Sequence, residues 1–99
     1  MNIEVSNELK KSFSDFRSLQ RKYGDRADRI RTVFSILQEA SCLCDVPNVP
    51  PTRRHKLQGN GKLWALDITK NYRMIIRAID GDAPEEISAI SIECIVDYH

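Results

Sequence analysis

Residues 53–80 read RRHKLQGNGKLWALDITKNYRMIIRAID, and hydrophobic side chains alternate with polar ones along much of this stretch. A period of two is typical of a β-strand with one buried face. The alternation stops at Gly59-Asn60-Gly61 and at Asn71, which are residue types that favour turns. Short turns between such runs indicate antiparallel strands. The predicted strands are Arg53–Gln58, Lys62–Thr69 and Tyr72–Ile79.

The segments on either side add further elements. Asn2–Val5 predicts a short opening strand, and Ile87–Tyr98 predicts a last strand. From Ser6 to Gly24 and from Asp25 to Ala40, hydrophobic residues recur at helical spacing. The short connection at Gly24-Asp25 favours an antiparallel helical hairpin. A connector at 41–52 holds three prolines, which exclude a helix there.

These elements predict a single α+β domain over residues 1–99, with a short N-terminal strand, a helical hairpin, and then an antiparallel sheet of four or five strands. We expect the helices to cover one face of the sheet. Met74 and Ile76 are expected on that covered face. The open face is then expected to carry Arg73, Arg77, Glu93 and Asp97.

The composition is that of a soluble globular domain, with 41% hydrophobic and 29% charged residues in 99. Apolar runs are too short for a transmembrane helix or a signal peptide, so we expect a cytoplasmic protein without a membrane partner. The cysteines are odd in number and irregularly spaced. Free thiols are therefore expected, rather than a disulfide framework or a zinc site. They are Cys42, Cys44 and Cys94.

Charge is unevenly distributed along the chain. Residues 51–79 hold seven basic side chains and one acidic one, whereas residues 80–99 hold six acidic side chains and no lysine or arginine. A basic segment of this kind is a candidate surface for a polyanion. The alternative is a solvated sheet face whose bases pair with the acidic last strand. Charge alone leaves both interpretations open.

Most catalytic signatures are absent from the sequence. There is no Gly-rich phosphate loop, no H-E-x-x-H and no G-x-S-x-G. The two histidines are His55, in the basic run Arg53-Arg54-His55-Lys56, and His99, which follows Asp97 and Tyr98. A histidine titrates near neutral pH and is therefore a candidate acid or base.

The order of several short motifs resembles the HigB-type toxins of the RelE/ParE superfamily. These motifs are RHKL at 54–57, GN at 59–60, LWALDI at 63–68, NYR at 71–73 and VDYH at 96–99. The motifs cover residues 45–99, and the order of strand, helices and sheet extends the likeness to the whole chain. The resemblance implies an mRNA endonuclease that acts in the decoding site of the ribosome. It also implies a HigA-type helix-turn-helix antitoxin as partner, in an oligomeric complex.

The resemblance also implies a set of site residues. RNA cleavage needs a base for the 2′-hydroxyl, an acid for the leaving 5′-oxygen and cations for the charge on the phosphate. No metal or other cofactor is expected. Either histidine can be the base or the acid, and the planar fork of Arg73 suits a phosphate. The expected catalytic residues are His55, Arg73, Asp97, Tyr98 and His99. The expected RNA- or phosphate-binding residues are Arg53, Arg54, Lys56, Lys70 and Arg77.

Two alternatives accompany this interpretation. One is a ParE-like inhibitor that binds a protein such as DNA gyrase without cutting RNA. The other is a decayed toxin that only binds its antitoxin, in which case Gln58, where many relatives have lysine, is the residue to suspect. The terminal Asp97-Tyr98-His99 and the basic cluster favour RNA cleavage, because a protein-binding inhibitor needs no acid–base pair.

Overall fold

The computed structural model describes residues 1–59 and 61–97, so that Asn60, Tyr98 and His99 lie outside the described residues. The strands are β1 (Asn2–Val5), β2 (His55–Lys56), β3 (Leu63–Asp67), β4 (Tyr72–Ala78) and β5 (Ala89–Asp97). The helices are α1 (Asn7–Lys10), α2 (Phe16–Tyr23) and α3 (Ala27–Glu39), with short 3₁₀ turns at Gly24–Arg26, Leu43–Asp45 and Pro84–Glu86. No helix within these ranges is long and apolar enough to cross a membrane.

The first predicted helix is interrupted. It divides into α1 and α2, because the side chain of Asp15 accepts a hydrogen bond of 2.7 Å from the backbone N–H of Ser18 and caps a new helix there. The turn after α2 contains Gly24 at φ +58°, a backbone conformation that suits glycine. The helical hairpin itself is confirmed, with α2 packed against α3.

The five strands lie in the order β1-β5-β4-β3-β2. Neighbouring strands are antiparallel except for β1, which is parallel to β5 and places Ile3 opposite Ile90. The expected antiparallel sheet is confirmed for β2 to β5, and β1 joins its edge as a parallel strand. The helices form the crossover that a parallel pair requires.

The core lies between α3 and one face of the sheet, as expected. Ile30, Val33 and Leu37 of α3 are buried, together with Met74 and Ile76 of β4. Trp64 is also buried, whereas Phe34 is only half-buried and makes an edge contact with Phe13 at 6.1 Å between ring centroids. The other face of the sheet carries Arg73 and Arg77, with Ala65 and Ile75 buried between them.

A bulge in β5 changes which residues share a face. Ile75 lies opposite Cys94 and Ile76 lies opposite Ile92, so no residue of β4 lies opposite Glu93 in the register. Beyond the bulge the alternation is shifted by one residue, and Asp97 lies opposite Tyr72. Cross-strand partners share a face, so Asp97 lies on the face of Tyr72 and not on that of Arg73. The predicted place of Asp97 on the open face is wrong.

Candidate nucleic-acid interface

Asp67, the last residue of β3, joins two arginines on the open face of the sheet. Its Oδ1 accepts a hydrogen bond of 3.0 Å from Nε of Arg73, which lies opposite it on β4. Arg53 donates from Nε to Oδ2 at 2.8 Å and from Nη2 to Oδ1 at 3.4 Å. Burial by itself raises the pKa of Asp67, but hydrogen bonds from Arg53 and Arg73 outweigh burial and hold that pKa below its usual range. The carboxylate therefore stays ionised and holds two guanidinium groups side by side.

The backbone around Arg53 explains how it reaches Asp67. Arg53 has φ +46°, in the left-handed region that costs a non-glycine residue about 1–2 kcal/mol. Hydrogen bonds on both sides hold this conformation: the N–H of Arg54 donates to Pro47 O, and the N–H of Asp67 donates to Thr52 O. The strand predicted over Arg53–Gln58 is observed only at His55–Lys56, and the bend at Arg53 accounts for the shortening at its N-terminal end.

His55 lies on the same face, in the neighbouring row of residues that lie opposite one another across the strands. It is opposite Ala65, which is in turn opposite Ile75. This row is two residues along β3 from the pair of Asp67 and Arg73, a distance of about 7 Å. The Nδ1 atom of His55 lies 2.8 Å from the carbonyl oxygen of Arg53. A carbonyl oxygen only accepts, so this contact places a proton on Nδ1 and leaves Nε2 of the neutral ring with a lone pair.

Arg54 and Lys56 lie on the other side of β2. The guanidinium carbon of Arg54 is 5.6 Å from the ring centroid of Trp64, and Nζ of Lys56 is 5.9 Å from it. Arg54 also donates from Nε to Val46 O at 2.9 Å, and burial lowers its pKa. The structure therefore separates these two basic residues from His55 and Arg73.

Arg77 lies at the far end of the open face. It is four residues along β4 from Arg73, a distance of about 13 Å. Its Nε donates to Glu93 at 2.8 Å, and Glu93 also accepts from Ser91 Oγ at 3.0 Å. The interpretation in which bases pair with the acidic last strand thus holds for Arg77, whereas Arg53 and Arg73 share an acid from within the basic segment.

The remaining predicted residues lie near the end of the sheet. Lys70 is exposed in the turn between β3 and β4. Asp97 lies opposite Tyr72, whose ring is covered by the guanidinium of Arg26 at 4.0 Å. Tyr98 and His99 lie outside the described residues, so their predicted roles stay predictions.

Sequence reasoning missed Asp67 as a site residue. A signal was present, because Asp67 is the only acidic residue between positions 51 and 79. A single carboxylate among seven basic side chains is a natural hub for ion pairs.

The cysteines differ in part from the expectation of free thiols. Cys42 and Cys44 form a disulfide with their Cα atoms 5.2 Å apart, whereas Cys94 is a free thiol whose pKa is raised by burial. Ligand atoms of Cys42, Cys44 and Asp45 lie within 4.8 Å of one another. The disulfide takes both sulfur atoms out of use as thiolate ligands.

Comparisons with known proteins give the fold. No protein-family model and no curated protein sequence matches the chain. Solved structures do match it over nearly the whole chain. The E. coli DinJ-YafQ complex aligns with a TM-score of 0.63 at 15% identity, over 97% of this chain and 91% of that one. A YoeB/ParE toxin from Agrobacterium tumefaciens aligns with a TM-score of 0.60 at 16% identity, over 100% and 99%.

A third solved structure extends the likeness. The YoeB dimer from Staphylococcus aureus aligns with a TM-score of 0.58 at 18% identity, over 100% of this chain and 97% of that one. The RelE/ParE-like fold implied by the sequence motifs is therefore confirmed.

Proposed function

We propose that the chain is the toxin of a type II toxin–antitoxin pair, of the HigB type, and that it is a ribosome-dependent mRNA endonuclease. One observation carries this proposal: His55 and the pair of Asp67 and Arg73 lie in neighbouring rows of the open face, and Arg53 binds the same Asp67. A proton acceptor beside two fixed cations is what cleavage of an RNA phosphodiester needs.

In the proposed reaction, Nε2 of His55 takes the proton of a ribose 2′-hydroxyl. The 2′-oxygen attacks the adjacent phosphorus, and the bond from phosphorus to the 5′-oxygen breaks. Arg53 and Arg73 stabilise the negative charge that builds up on the phosphate oxygens. A second group protonates the leaving 5′-oxygen. The products are a 2′,3′-cyclic phosphate and a 5′-hydroxyl end.

His99 is the candidate for that second group. The chain contains two histidines, and in the sequence His99 is two residues beyond Asp97, where β5 ends. We propose that a protonated His99 supplies the proton and that Tyr98 stacks on a base of the RNA. No step of this reaction requires a metal, because RNA carries its own nucleophile.

The proposal includes two partners. One is the ribosome with mRNA in its decoding site, which puts the site of action in the cytoplasm. The other is a HigA-type antitoxin. The DinJ-YafQ complex supports binding to a second protein, because a chain of this fold is solved there in a complex.

Purified protein, translating ribosomes and a defined mRNA test the proposal. We expect cleavage only of mRNA that is being translated, with a 2′,3′-cyclic phosphate at the new 3′ end. Cleavage is expected to fail in Arg73→Ala. Intact mRNA with the wild-type protein, despite a folded chain and active ribosomes, would contradict the proposal and favour a ParE-like protein inhibitor or a decayed toxin.

A further inference from the structure

A shallow cleft continues from the Asp67 cluster around the end of the sheet. Its lining residues are Arg29, Pro51, Asp67, Ile68, Thr69 and Lys70. Asp67 belongs both to this cleft and to the pair it forms with Arg53 and Arg73. The cleft is therefore continuous with the proposed phosphate site, and it extends towards α3.

Arg29 is held in place at the cleft by the backbone of the sheet. It projects from α3, and its Nε donates a hydrogen bond of 3.2 Å to the carbonyl oxygen of Ile68. The two residues are 39 positions apart in the chain, so this contact exists only in the folded protein. A guanidinium fixed through Nε presents its charge at a defined position beside Thr69 and Lys70.

The charge of the cleft is unbalanced. Among residues 1–59 and 61–97, no ion pair joins Arg29 or Lys70 to a carboxylate. The one acidic residue in the lining, Asp67, is already bound by two arginines. Counting only the described residues, Arg29, Arg53, Lys70 and Arg73 against Asp67 give the connected surface a formal charge of +3. An anion is the ligand that such a surface favours.

We propose that the cleft of Arg29, Thr69 and Lys70 binds a backbone phosphate of RNA next to the one held by Arg53 and Arg73. This inference rests on the proposed function. The RNA strand then leaves the open face of the sheet by passing around the turn between β3 and β4, towards α3. Contacts of this kind fix the register of the RNA but carry no base preference.

RNA is the ligand favoured over an acidic protein segment because the two anion sites are continuous. A single RNA strand presents phosphates at regular intervals, so that it can occupy two adjoining cationic sites at once. Arg29 adds a planar donor group, and Lys70 adds a compact charge.

The salt dependence of RNA binding tests this inference. The probe is a single-stranded RNA with 2′-O-methyl groups throughout, which binds but cannot be cut. For single strands, each phosphate contact contributes about 0.7 to the slope of log K against log salt concentration. We expect Arg29→Gln and Lys70→Gln each to reduce this slope by about 0.7. Arg29→Lys, which keeps the charge, is expected to retain the slope.

Arg31→Gln is the matched control, because Arg31 is on the same helix and its guanidinium lies over Phe16 and pairs with Asp28. We expect its slope to equal that of the wild type. If Arg29→Gln and Lys70→Gln also keep the wild-type slope while Arg73→Gln reduces it, the cleft is not an RNA site and only this inference fails. If the wild type does not bind the probe, this inference fails, whereas the proposed function is decided separately by the cleavage assay with translating ribosomes. If Arg29→Gln and Lys70→Gln weaken binding of a poly-glutamate peptide but leave the RNA slope unchanged, the inference is overturned and the cleft is a site for an acidic protein segment.

Discussion

Asp67 and Arg73 lie opposite each other on β3 and β4, and the carboxylate accepts a hydrogen bond of 3.0 Å from the guanidinium. Their side chains are only 20% and 22% exposed. The register of β3 and β4 thus holds Arg73 opposite Asp67, and the pair is partly shielded from water. The same carboxylate also holds Arg53, so one acidic residue organises both cations of the proposed phosphate site.

Asp67→Asn is expected to separate RNA binding from cleavage. The change removes one negative charge, so the affinity for uncleavable RNA should stay the same or rise. The cleavage rate should fall by about 10- to 100-fold, because the two guanidinium groups are no longer held in place for the transition state. Binding and single-turnover cleavage by the same preparation check this.

Asp82→Asn is the control for that substitution, since Asp82 is exposed and pairs with Lys62 away from the site. We expect it to leave both quantities close to those of the wild type. Equal losses of binding and of cleavage in Asp67→Asn would show that Asp67 merely supports the fold.

The stabilising effect of Asp67 should depend on pH. Its pKa lies below the usual range in the folded protein, whereas an unfolded aspartate has a pKa of about 3.9. A lowered pKa stabilises the folded state above the unfolded value, and this contribution disappears as the pH falls through the folded value. We therefore expect Asp67→Asn to be less stable than the wild type at pH 7, by about 1–3 kcal/mol. The difference should shrink below about pH 4.

Urea unfolding from pH 7 to pH 2.5 measures that difference. A gap in the free energy of unfolding that stays constant over the whole range would contradict a role for the ionised carboxylate.

Trp64→Ala should destabilise the fold strongly. Trp64 is 6% exposed and lies within the main core, and truncation of such a side chain costs about 3–5 kcal/mol. Ile79→Ala is the comparison, because Ile79 is 45% exposed and should change the free energy of unfolding by less than about 1 kcal/mol. Chemical denaturation of both variants checks the contrast, and similar losses would contradict the position of the core.

The alternation of residues 53–80 was enough to predict the central strands and the face that Met74 and Ile76 turn towards the helices. It could not show that β1 is parallel to β5, because the side chains of parallel and antiparallel strands alternate alike. It also could not show the bulge at Glu93. One extra residue changes the face of every later position, and this is why Asp97 was placed on the wrong side.

Prediction of the candidate site was limited for a similar reason. The motifs suggested His55 and Arg73, and the structure places both on the open face, while their roles stay predictions. Arg54 and Lys56 were grouped with them by sequence proximity, but successive side chains of a strand point to opposite faces. Asp67 was missed because a count of charges does not reveal which base an acid will meet.

The most direct test of the account is a map of transcript 5′ ends after brief induction of the protein in a bacterial host. Arg73→Ala and Arg77→Ala form a matched pair, since both arginines are on β4 and bind a carboxylate, but only Arg73 belongs to the Asp67 cluster. We predict new 5′ ends, confined to translated regions, for the wild type and Arg77→Ala, and about 100-fold fewer for Arg73→Ala. Growth arrest without new ends in the wild type, or equal cleavage by both variants, would contradict it.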